Sequence, residues 1–72
     1  MEKEVLLKKL GARIREIRLE KGITQTQLAN SLGKDQQSIQ RLEAGNMNPT
    51  FYYLKEIALG LNVELVVLID KL

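Results

Sequence analysis

Neither cysteine nor histidine occurs in this chain. Without cysteine there can be no disulfide framework and no thiolate metal site. Without either residue, the commonest general base and the best protein nucleophile are missing. The carboxylates Glu16, Glu20, Asp35, Glu43 and Glu56 are interleaved with basic residues or stand at expected helix ends, and no glycine-rich phosphate loop is present. The pattern argues against an enzyme and requires no metal, cofactor or small-molecule ligand. Long apolar runs are also missing: none approaches the roughly 18 residues that would span a bilayer. The start, Met1-Glu2-Lys3-Glu4, carries both signs of charge and leads into no cleavable apolar segment. A cytoplasmic protein with no membrane partner is expected.

The 72 residues suit one domain over residues 1–72. So short a chain buries only about 60% of the surface that its unfolded form exposes, so a partner subunit would add usefully to a marginal core. The apolar fraction of 44% favours folding over disorder. The net charge of +2 is modest, but Lys8, Lys9, Arg13, Arg15, Arg18 and Lys21 crowd the first third. Such a cluster suits a solvated, salt-bridged helix face or a phosphate-binding face.

Helical periodicity dominates. Leu7, Leu10, Ile14 and Ile17 share one face of a helix from about Glu4 to Lys21, ended by Gly22. Gly11 costs that helix about 1 kcal/mol relative to alanine, which either a close backbone approach or a helix frayed before it would explain. Thr24 and Gln27 form a threonine-x-x-glutamine capping box, opening a short helix with Leu28, Ala29 and Leu32 inward. Asp35 caps a segment from Gln36 to Glu43, with Ile39 and Leu42 inward. After a loop over Asn46 to Pro49, Thr50 caps a fourth helix whose apolar stripe is Phe51, Leu54, Ile57, Ala58 and Leu61. Val63 to Leu72 supports two readings, a short helix or a strand rich in β-branched residues; a helix is expected, with Leu65, Leu68 and Ile69 inward and Val66 and Val67 outside. The fold class is an all-α, compact five-helix bundle containing a helix-turn-helix.

Leu32-Gly33-Lys34-Asp35 joins the second and third helices at the centre of the pattern. A helix that enters a major groove about 12 Å wide needs a second helix to brace it steeply. Gly33 permits the positive φ of a tight turn, and Ala29 is small where the helices cross. Gln36, Gln37, Gln40 and Arg41 are left facing outward. A glutamine amide matches adenine N6 and N7, and arginine matches guanine O6 and N7.

The run from Gln25 to Gly45 resembles the Cro/C1-type (Xre) helix-turn-helix family, as do Gly11 to Arg18, Lys21-Gly22 and Asn48-Pro49-Thr50. The resemblance implies a five-helix bundle, operator binding and dimerisation. Within the family, Gln36-Gln37-Ser38 looks most like the reading helix of lambdoid phage repressors, where the matching glutamines contact bases and Arg41 stands at a base-reading position. By the same matching, Gln25 falls at a phosphate contact, and Asn46 and Asn48 lie in the loop that skims the backbone. Thr24, Gln25, Lys34, Ser38, Asn46 and Asn48 are the candidate phosphate contacts. Arg18 and Glu43 match a pair that ties the first helix to the end of the third. The dimer interface is expected at Leu59, Val66 and Val67, outside the buried faces.

A transcriptional regulator, more narrowly a repressor, acting as a homodimer on double-stranded DNA with a near-palindromic operator, follows. Two alternatives are an antitoxin that also binds a toxin, favoured if residues 63–72 form a strand paired across a dimer, and a helical protein-interaction module without DNA binding.

Overall fold

In the computed structural model, which describes residues 2–72, five helices follow one another with no strand among the described residues. They are α1 (Lys3–Glu20), α2 (Gln25–Ser31), α3 (Gln36–Glu43), α4 (Phe51–Leu61) and α5 (Leu65–Ile69). Local chemistry sets most boundaries. The Thr24 hydroxyl accepts from the Gln27 amide at 3.0 Å while the Gln27 side chain accepts from the Thr24 amide at 2.9 Å, closing a capping box. Asp35 and Thr50 accept in the same way from the amides of Ser38 and Tyr53. Each cap satisfies a donor that a helix start leaves free. Gly33 turns the chain between α2 and α3 with φ +67°, a conformation that side chains with a Cβ rarely adopt.

The principal pairings make a ring: α1 packs on α3 and α5, α2 on α3 and α4, and α4 on α5. Ile14, Leu28, Ile39, Leu42, Ile57, Leu61 and Leu68 fill the centre and are wholly buried. Burying each contributes about 1.5–3 kcal/mol of transfer free energy. At Gly11 the backbones of α1 and α3 nearly touch, because an added Cβ would lie 2.5 Å from the Leu42 carbonyl oxygen. That contact accounts for a glycine inside an 18-residue helix.

Three sequence expectations need correction. The apolar stripe of α4 does not include Phe51, which is 74% exposed; Tyr53 takes the inward place. The repeat Tyr53, Ile57, Leu61 defines the buried line, and Phe51 lies beside it in a first turn that nothing covers. In α5, Val67 is half-buried against the core rather than outside, while Ile69, expected inward, is 44% exposed. Five consecutive aliphatics carry no polar residue to mark an outer face, so packing on Leu68 decides the rotation. The strand alternative for residues 63–72 is also set aside, since 65–69 are helical.

Candidate nucleic-acid interface

The eight residues of α3 make a rod about 12 Å long at 1.5 Å per residue, comparable to the width of a major groove. Ile39 and Leu42 anchor one side of it in the core. The opposite side presents Gln37, Gln40 and Arg41, all exposed, with Gln36 half-buried at the start. Gln37, Gln40, Arg41, Ala44 and Asn46 line one shallow surface depression. The loop residue Asn46 therefore stands beside the exposed polar face of α3, and Asn48 is exposed a little further along.

Behind this face runs a chain of polar contacts. Arg18 Nε donates to Glu43 Oε2 at 2.6 Å and Arg18 Nη2 to Glu43 Oε1 at 2.9 Å, a two-pronged pair whose side chains are 7% and 3% exposed. Arg18 Nη1 donates to the Ile23 carbonyl at 2.8 Å, binding the α1–α2 link into the same knot. Hydrogen bonding to Glu43 holds the Arg18 guanidinium above its ordinary pKa; burial opposes the rise and the Glu43 charge adds to it. Gln25 Nε2 donates to Glu43 Oε1 at 3.0 Å, and Gln36 Nε2 donates to Gln25 Oε1 at 2.6 Å. Helices α1, α2 and α3 are thus joined through side chains as well as through the core.

The candidate phosphate contacts are not equally free. Thr24 stands exposed at the start of α2; its hydroxyl oxygen accepts the capping bond, which leaves its O–H to donate. Lys34 reaches away from a free position: its Nζ is 3.4 Å from Glu56 and 5.1 Å from the centre of the Tyr53 ring. Ser38 shares a 3.0 Å hydrogen bond with the Tyr53 hydroxyl. Tyr53 therefore supports both the turn and the start of α3, a role the sequence reading missed. Its spacing of four from Ile57 was the available signal. Of the apolar candidates, Leu59 is 67% and Val66 58% exposed.

A short helix with an exposed polar face, braced across a four-residue turn by a second helix, is a helix-turn-helix of the kind that docks in DNA. The helix-turn-helix family matches residues 14–68. The ImmF control region 10 kDa protein of Bacillus phage phi105 is 39% identical over 61 residues, covering 85% of this chain and 68% of the phage protein. The restriction-modification controller protein C.AhdI of Aeromonas hydrophila superposes with TM-score 0.83 at 34% identity, covering 86% of this chain and 94% of that one. A crystal structure of the controller protein C.Esp1396I, a tetramer in complex with its natural 35 base-pair operator, superposes with TM-score 0.83 at 39% identity, over 92% of this chain and 87% of that one. The chain belongs to the Cro/C1-type (Xre) helix-turn-helix family of DNA-binding transcriptional regulators.

Proposed function

We propose that this protein is a cytoplasmic, non-enzymatic repressor that binds a near-palindromic operator as a homodimer. Gln36, Gln37, Gln40 and Arg41 read bases, while Thr24, Gln25, Ser38, Asn46 and Asn48 meet the backbone and Lys34 contributes less. The supporting observation is the exposed polar face of α3, held rigidly by apolar anchors on one side and the Arg18–Glu43 knot at its end. The protomer measures 32 × 22 × 21 Å and holds one such helix. Reading two major grooves about 34 Å apart takes a second copy related by a two-fold axis. Leu59 and Val66, joined by Ile69, form the apolar surface for that contact, with Val67 supporting it from its half-buried position. Residues 65–69 are helical, so the feature that would favour an antitoxin is lacking. Selection of bound sequences from a random DNA pool is the test. Enrichment of two inverted half-sites with centres about 10 base pairs apart is expected; a pool that stays unenriched sinks the proposal.

A further inference from the structure

Glu43 is buried, away from the exposed Gln37, Gln40 and Arg41, yet it is linked to the half-buried Gln36 by two consecutive side-chain hydrogen bonds. An ionised carboxylate only accepts, whereas a glutamine amide has a donor end and an acceptor end. Glu43 Oε1 already accepts from Arg18 Nη2, and it accepts again from Gln25 Nε2 at 3.0 Å. Gln25 must therefore turn its nitrogen to Glu43 and its oxygen to α3. That oxygen can only accept, so Gln36 must offer Nε2, as it does at 2.6 Å. Every amide orientation in the chain follows from the one acceptor at its buried end.

We propose that Glu43 is a positioning residue for base recognition: through Gln25 it sets which way round the Gln36 amide faces the groove. Gln36 keeps Oε1 and one N–H for a base edge, with Oε1 on the side away from Gln25. That arrangement suits adenine, whose N6 donates and whose N7 accepts. The second N–H of Gln25 stays available to a phosphate oxygen. With the chain reversed, Gln36 would swap its donor and acceptor sides and lose register with the same base pair. Arg18 acts one step further back, because it keeps the Glu43 carboxylate charged and in place. The inference rests on Gln36 reading a base.

Two measurements separate the relay from that reading. In the free protein, through-hydrogen-bond NMR couplings should run from the Gln36 side-chain nitrogen to the Gln25 amide carbon, and from the Gln25 side-chain nitrogen to the Glu43 carboxyl carbon. Couplings in the opposite direction between the glutamines would overturn the proposal without reference to DNA. On DNA, Gln36→Ala identifies the base pair concerned by loss of discrimination there; if no base pair responds, the base-reading assumption fails. Given that base pair, Gln25→Met, which leaves the Arg18–Glu43 pair intact, should lower discrimination there about tenfold, equivalent to one lost base contact. This loss comes in addition to a uniform loss on all sequences. Glu43→Gln should do the same where it folds, while discrimination at the pair read by Gln37 is kept. Equal losses at every base pair in both variants would reduce Glu43 and Gln25 to structural supports, and would also refute the relay.

Discussion

Gly11 on α1 and Glu43 on α3 meet backbone to backbone: a Cβ added to Gly11 would lie 2.7 Å from the Glu43 carbonyl carbon. Substituting alanine would gain about 1 kcal/mol of helix propensity. The clash is with main chain, so α3 must move as a body. Overpacking of this kind costs about 1–3 kcal/mol, and Gly11→Ala should destabilise on balance. Urea unfolding measures that loss, and operator binding should weaken beyond it because α3 carries the residues proposed to read bases. An alanine variant as stable as the parent would show that the helices separate freely.

The Arg18–Glu43 pair is buried on both sides, so removing one member leaves a buried charge with no opposite charge beside it, held only by a neutral hydrogen-bond partner, the Ile23 carbonyl for Arg18 or Gln25 for Glu43. A loss of about 3–5 kcal/mol is expected for Arg18→Met or Glu43→Leu alone. The double variant should lose less than the sum of the two. A double-mutant cycle by urea denaturation reads the coupling directly, and a coupling of zero contradicts the buried geometry.

Gln37 is exposed and stands free of the relay that holds Gln36. Gln37→Ala should cost about 1–3 kcal/mol on the preferred operator, confined to one base pair in each half-site. Competition binding against operators changed one pair at a time measures this. A loss spread evenly over all sequences would reassign Gln37 to the backbone.

The loop after α3 carries Asn46 and Asn48, which can bond phosphate but release no counterion. Asn46→Lys should therefore tighten binding to every sequence and steepen the salt dependence by about 0.9 in log–log slope. Lys34, engaged by Glu56 and the Tyr53 ring, should contribute little of that slope, so Lys34→Met should leave it nearly unchanged. A fall of a full phosphate's worth in the Lys34 variant would place its ammonium on the DNA.

Leu59 and Val66 expose aliphatic surface on α4 and α5, which pack on each other. Aspartate at both positions should yield a folded monomer with weakened operator binding, since half of the read area is lost. Sedimentation equilibrium is the measurement. An unmodified protein that stays monomeric at high micromolar concentration, with DNA and without it, would exclude the interface.

The parts of this fold that the sequence made legible are those whose causes lie within a few residues. Thr24 and Gln27 form a capping box because they are three apart, and Asp35 and Thr50 cap for the same local reason. Gly22 and Gly33 take left-handed angles at helix ends where the pattern breaks. The exposed face of α3 was readable because Ile39 and Leu42 mark its opposite side. The inward places of α4 and α5 are less legible: two aromatics compete at the start of α4, where only the spacing of four from Ile57 favours Tyr53 over Phe51, and α5 is aliphatic throughout, so nothing in it announces which residue turns inward.

By itself the sequence determined the first four helices, the caps of α2, α3 and α4, the turn that sets α3 against α2, and the polar residue types on the outer face of α3; it left the fifth segment open between helix and strand. Those follow from backbone hydrogen bonding, steric limits on φ and the 3.6-residue repeat, all of which act over one or two turns. Only the tertiary structure decided that Gln25, eighteen residues before Glu43 and eleven before Gln36, bonds to both. It also decided that Lys34 leans on Tyr53 and Glu56, and that Val67 rather than Ile69 turns to the core. Contacts between distant residues depend on the angle and depth at which whole helices pack, and these emerge when many side chains settle into one common core.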